Sequence, residues 1–204
     1  EGGQTVDSLL LHANLAMLQA KGQRGCNFHF YDERINLQAH SLIEFEASLR
    51  HALRRGEFEL HYQPRVDLGS GKIVGLEGLI RWRHPERGLL GPNEFIPLAE
   101  ETGLIVPMGY WVIARACHDL AQMKKRNMAP VHVAVNMSFR QFQDSALLST
   151  VKRLLERTGI DPHWLEFELT ETAVMQQPEQ VLMTMDGMTG LGLRFSLNDF
   201  GTGF

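Results

Sequence analysis

Oxygen-bearing side chains stand at or near the ends of several apolar, strand-like runs in this chain. Leu193 to Leu197 alternates as a buried strand does, and is followed by Asn198-Asp199 and then Phe-Gly-Thr-Gly. An acidic residue at the end of a buried strand, followed by a loop of glycines free to adopt positive φ, is how an α/β protein presents a carboxylate to a metal or phosphate. An ordinary strand and turn is the plainer alternative. A run over Val131–Val135 ends in Asn136-Met-Ser, and one over Trp164–Leu169 contains Glu168, with Glu171 just beyond. A further run, Ile73–Trp82, holds Glu77 in its apolar centre and Arg81 four residues on, both on one strand face. A carboxylate in a buried strand is costly unless it is paired or bound to a metal. A structural ion pair with Arg81 would satisfy Glu77 alone. Taken with Asn136, Glu168 and Asp199, the set offers only oxygen, which selects a hard cation such as Mg2+, Mn2+ or Ca2+. Arg81, with its forked guanidinium, is the candidate for holding a phosphate.

These residues need a scaffold that brings strand ends together. Glu57–Arg65 reads as a strand, Asp67–Lys72 as a turn and Ile73–Trp82 as a second strand; the short glycine turn makes the pair antiparallel. From there strands alternate with helices, expected over about 93–101, 109–125, 144–157 and 178–188. Right-handed crossovers then impose a parallel sheet, open or closed into a barrel. Strand ends in such folds gather on one face and line the site. A closed β/α barrel has eight strands and five are visible here, so the chain is expected to be part of something longer.

The chain has 204 residues, 44% of them hydrophobic, with a net charge of -4 and a pI near 6.1. That balance provides no global basic field for a nucleic-acid polymer, while leaving room for a small phosphorylated ligand. Cys26 and Cys117 fit no CxxC pattern and suggest buried thiols in a reducing compartment, hence a cytoplasmic location, although a longer chain could be tethered to a membrane. The nine histidines, His61 and His84 among them, show no metal-binding spacing. Residues 1–33 read as the end of another domain: a helix from Asp7 to Lys21, with the stripe Leu9, Ala13, Ala16, Met17 and Ala20, then a strand over Asn27–Tyr31. A further helix over Arg34–Arg55 carries Leu37, Leu42, Phe45, Leu49, Ala52 and Leu53 near one face, as a connecting helix or as a core helix of the second domain.

The motifs Tyr62-Gln-Pro64, Leu76-Glu77-Gly-Leu-Ile-Arg81-Trp82, Phe95-Ile-Pro97-Leu-Ala-Glu100, Val135-Asn136-Met-Ser138, Glu168-Leu-Thr-Glu171 and Asn198-Asp199-Phe-Gly-Thr-Gly203 resemble, in order, those of EAL domains, the cyclic di-GMP phosphodiesterase family. The resemblance implies an α/β fold over 57–204: an incomplete TIM-like barrel whose first strand is antiparallel. The run Ala13–Lys21 resembles the C-terminal end of an α+β GGDEF domain. It implies that 1–33 is a remnant of one, with 34–56 a connecting helix; the upstream signature loop is not in the chain, so no cyclase activity is assigned.

Carried over, the resemblance implies that Glu77, Asn136, Glu168, Asn198 and Asp199 ligate Mg2+ or Mn2+ in a two-metal site. Glu77, Asp199 and Glu171 would be the catalytic set, Glu171 bracing the glycine loop. Arg81 would hold a phosphate of cyclic di-GMP and Gln63 would contact a guanine. The implied partners are cyclic di-GMP, a second copy in a homodimer and an upstream GGDEF-like or sensory domain. The implied reaction is two-metal hydrolysis of one phosphodiester to the linear dinucleotide. Two departures stand out. The signature tripeptide reads Glu-Gly-Leu in place of Glu-Ala-Leu, which keeps the carboxylate. The family's Asp-Asp pair reads Asn198-Asp199, which removes a negative charge from the ligand set and points to a module that binds cyclic di-GMP with impaired hydrolysis, an active phosphodiesterase being the alternative.

Overall fold

The computed structural model describes residues 33–128, 132–170 and 178–198, together with positions 6, 10, 13, 17 and 20. The chain divides into two compact units, Glu1–Leu49 and Arg50–Phe204. In the first, Val6, Leu10, Ala13, Met17 and Ala20 are helical; Ala20 is buried and Ala13 and Met17 are exposed, so only part of the expected stripe is covered. The strand expected over Asn27–Tyr31 lies outside the described residues. Helix α1, Glu33–Arg55, buries Phe45, Leu49 and Ala52 at spacings of four and three, while Leu42 faces solvent. Arg54 and Arg55 close its last turn, where their charge meets the carbonyl end of the helix dipole.

The second unit is built on a mixed sheet. Strand β1 (Phe58–Val66) pairs antiparallel with β2 (Ile73–His84) through the turn in which Asp67 Oδ1 accepts from the Ser70 N–H at 2.8 Å. The sheet continues in parallel through β4 (His132–Met137), β5 (Leu165–Thr170) and β6 (Arg194–Asn198), giving the order β1-β2-β4-β5-β6. Helices α2 (Pro92–Thr102), α3 (Ile105–Lys125), α5 (Leu147–Thr158) and α6 (Pro178–Thr189) fill the crossovers, with a short α4 (Phe139–Phe142) between β4 and α5. The result is the incomplete barrel with a reversed first strand that the motifs imply, unclosed among the described residues.

One strand was not anticipated. Gly88–Leu90 forms β3, antiparallel to the end of β2, with Trp82 opposite Leu90. Three residues are too few for an alternating pattern to register. The turn before it is held by buried His84, whose Nδ1 accepts from the N–H groups of Glu86 and Arg87 at 3.1 and 3.2 Å. Helix α3 begins four residues before the expected start, because Pro107 falls in its first turn, where a missing N–H costs nothing. Helix α5 starts later than expected, since Asp144 is spent on the preceding turn: its Oδ1 accepts from the Ala146 N–H at 2.9 Å.

The core lies on one face of the sheet. Val133, Val135, Leu165 and Phe167 meet Ile113, Ala116, Leu120, Val151 and Leu155 from α3 and α5. Cys117 belongs to this cluster, and burial pushes its thiol up to about 12. Cys26 lies outside the described residues. Among the described residues no helix is long and apolar enough to cross a membrane.

Candidate functional site

Strand alternation sends every second residue to the sheet face opposite that core. On β2 these include Gly75, Glu77 and Arg81; the register places Gln63 and Arg65 of β1 opposite Glu77 and Gly75. On β4 they are His132, Ala134 and Asn136; on β5, Glu166 and Glu168; on β6, Arg194 and Ser196. Glu77, Asn136 and Glu168 therefore stand on adjoining strands of one face.

Their contacts are specific. Asn136 Nδ2 donates to Glu77 Oε1 at 3.0 Å, and Arg65 Nη2 lies 3.9 Å from Glu77 Oε2. Glu168, its side chain only 3% exposed, is paired through Oε1 with Arg65 Nη2. Its other oxygen, Oε2, is buried and has no hydrogen-bond partner among the described residues. Leaving a carboxylate oxygen dry and unpartnered is costly, and a cation at that position removes the cost. The unsatisfied atom and the all-oxygen donors thus fit a hard divalent ion. By themselves the described residues supply two carboxylates and an amide, and no group of three or more His, Cys, Asp or Glu among them is arranged to hold a metal.

The remaining expected residues divide. Gln63 is exposed, level with Glu77. Arg81 is half-buried and does not pair with Glu77; its Nη1 donates to the Ile80 carbonyl at 2.9 Å. The Glu77–Arg81 alternative is thereby corrected: residues four apart on one strand stand about 13 Å apart along it, beyond ion-pair reach. Asn198 ends β6 opposite Thr170, and its side chain is outside the described set. Glu171 and Asp199 lie outside the described residues altogether.

Arg65, Glu166, Ser196, His132 and Gly75 on this face were missed from the sequence. Arg65 reaches Glu166 Oε1 at 3.4 Å as well as Glu77 and Glu168, so one guanidinium serves three carboxylates. Glu166 is further fixed by Ser196 Oγ, which donates at 2.7 Å, and His132 Nε2 lies 3.6 Å from its other oxygen. Gly75 makes room for the His132 ring, which a Cβ there would strike. Period-two counting from Gln63 to Arg65 and from Glu168 back to Glu166 was the available signal.

Two further contacts hold the site's supports. Tyr62 Oη, one residue before Gln63, donates to Asp119 Oδ2 at 2.8 Å and ties β1 to α3. Burial, reinforced by that bond, pushes the Tyr62 hydroxyl well above the ordinary tyrosine range. After β4, Gln141 accepts from the Ser138 N–H at 2.6 Å and donates to the Ile105 carbonyl at 2.8 Å. Beside these supports opens a cleft of about 670 Å3, lined by Pro92, Asn93, Ile96, Glu100, Asn136 and Glu168 among others. Its volume is in the range of small-molecule sites.

Comparison with known proteins is in keeping with this geometry. The EAL domain matches residues 46–204. The bifunctional diguanylate cyclase/cyclic di-GMP phosphodiesterase MucR of Pseudomonas aeruginosa is 37% identical over 99% of the chain and 30% of its own length. The cyclic di-GMP phosphodiesterase NbdA of the same organism is 38% identical over 99% of the chain and 26% of its own length. This chain thus spans less than a third of the length of these curated relatives. A solved structure of the PaMucR phosphodiesterase in complex with c-di-GMP superposes with a TM-score of 0.75 and 38% identity, over 80% of this chain and 65% of that one. With the motifs in order, the reversed first strand and the polar sheet face all in place, the chain belongs to the EAL-domain family.

Proposed function

We propose that this chain is a cyclic di-GMP module of the EAL type, in which Glu77, Asn136, Glu168, Asn198 and Asp199 hold Mg2+ or Mn2+ and hydrolysis is slowed by Asn198. The observation that carries the reading is the buried Oε2 of Glu168, without a hydrogen-bond partner among the described residues, beside Asn136 and Glu77, with Asn136 and Glu168 lining the cleft. When bound, the divalent ions supply Lewis acidity toward a phosphodiester. The chain's own residues do the rest. Arg81 binds a ligand phosphate through its fork, and Gln63, exposed beside Glu77, reads a guanine edge. Glu171 braces the loop that carries Asp199. Asn198 supplies an oxygen without a charge, so it holds a divalent ion more weakly than the second carboxylate of an Asp-Asp pair would, and hydrolysis loses the metal it depends on.

The second reading, an active phosphodiesterase, is favoured by the three described donors, Glu77, Asn136 and Glu168, standing side by side on one face. Residues 1–33 are read as the end of a GGDEF-like domain and 34–56 as the connection. The near-complete match to a relative named for both activities supports this. Cytoplasmic location and homodimerisation complete the proposal.

The decisive experiment measures cyclic di-GMP binding and turnover by the protein at its natural length, with Mg2+ and with Mn2+. Binding with slow turnover is expected. Failure to bind cyclic di-GMP under either condition refutes both readings.

A further inference from the structure

We infer that Arg65 is a positioning residue for the cation site: it grips Glu168 from the layer beneath, with Glu77 close by, so that the other oxygen of Glu168 is turned toward the metal. The inference rests on the metal-binding reading above and adds a residue to it. Strand β1 runs against β2, so Arg65 sits one pair deeper than Gln63, opposite Gly75 and not opposite Glu77. From there its guanidinium meets Glu168 Oε1, lies 3.4 Å from Glu166 Oε1 and 3.9 Å from Glu77 Oε2.

Glu166 anchors the arrangement. It is held by Ser196 Oγ at 2.7 Å and flanked by His132 at 3.6 Å, so the guanidinium rests on a fixed carboxylate. The Glu168 carboxylate then has its oxygens divided between two tasks, while both oxygens of Glu77 are held in place by neighbours. Glu168 gives Oε1 to Arg65 and keeps Oε2 buried and unpartnered among the described residues. Glu77 turns Oε2 toward Arg65, while Oε1 meets Asn136 Nδ2. A forked donor on one carboxylate oxygen fixes the direction of the other. Without it, the carboxylates of Glu77 on β2 and of Glu166 and Glu168 on β5 repel one another and the ligand oxygens spread.

The competing account makes Arg65 a stand-in cation that a metal must displace. The two accounts predict opposite effects on affinity. Calorimetry with MnCl2, without nucleotide, on the protein at its natural length should find Arg65→Ala weakened about 10–100-fold, as for other partners of metal ligands. Arg65→Lys should be weakened at least threefold, because a point charge keeps the sign but not the fork. Unchanged or tighter Mn2+ binding by Arg65→Ala overturns the inference, and so does a lowered metal-free melting temperature with unchanged affinity. If Arg65→Ala does not fold, Arg65→Lys decides alone, and anything less than a threefold loss overturns it. Absence of Mn2+ binding by the unsubstituted protein sinks the metal reading itself, and the Arg65 role with it.

Discussion

Asn136 Nδ2 donates a 3.0 Å hydrogen bond to Glu77 Oε1 across the parallel strands β4 and β2. The bond uses the amide's donor side on a neighbouring carboxylate and leaves its carbonyl oxygen as an acceptor for a cation. Asn136→Ala removes both functions. Turnover of cyclic di-GMP is expected to fall at least about tenfold, with a parallel loss of Mn2+ affinity. An assay of both under saturating nucleotide checks it, and unaltered values would remove Asn136 from the ligand set.

Asn198→Asp restores the second carboxylate at the end of β6. A gain of at least about tenfold in turnover is expected, with cyclic di-GMP affinity changed far less. An unchanged rate would mean that the amide is not what limits hydrolysis.

The Tyr62–Asp119 bond predicts a stability effect separate from chemistry. Tyr62→Phe leaves Asp119 with Arg115 Nε, which donates at 2.9 Å, so the loss is one hydrogen bond, about 1 kcal/mol. A melting temperature lower by about 2–4 °C is expected for a chain of this size. No change would show that β1 is held by strand pairing alone.

Cys117 makes stability depend on alkaline pH. Its thiol is pushed by burial from 9.0 up to about 12, so the folded state keeps a proton that the unfolded state releases. The raised folded value means that its contribution is complete below about pH 9 and is lost as pH rises from there toward 12. The slope is at most about 1.4 kcal/mol per pH unit. Urea unfolding at several pH values above 8 should be less steep in pH for Cys117→Ala than for the unsubstituted chain; identical slopes would count against a buried neutral thiol.

Gly109 faces Gln141, and a Cβ there would overlap Gln141 Nε2. Gly109→Ala therefore displaces the amide that joins Ser138 N–H to the Ile105 carbonyl. Overpacking of this kind costs about 1–3 kcal/mol. Denaturant unfolding checks it, and the double variant Gly109→Ala, Gln141→Ala should recover part of the clash energy.

Much of the fold was readable because the relevant signals are local. The Asp67–Lys72 turn dictated an antiparallel start, and apolar alternation placed Glu77, Asn136 and Glu168 on strands that the register now sets side by side. What the sequence left hidden is which side chain reaches which. Spacing along one strand offers Arg81 only as an alternative partner for Glu77, whereas the cation that meets Glu77 comes from the neighbouring strand, as Arg65. His132 looked unremarkable because its reach to Glu166 depends on a missing methyl group at Gly75, two strands away from the carboxylate. Cross-strand pairing is set by tertiary register, which one sequence does not spell out.

The reversed first strand has a consequence for how the sheet assembles. A slip of β1 by a single position would swing Tyr62 and Pro64 onto the charged face and carry Arg65 to the oily one. The interior would then hold uncompensated anions while the core held a buried cation, so a mispaired β1 is penalised twice. The charge balance of the centre thereby works as a proofreading device for strand alignment, rejecting a hairpin that pairs one residue out of step.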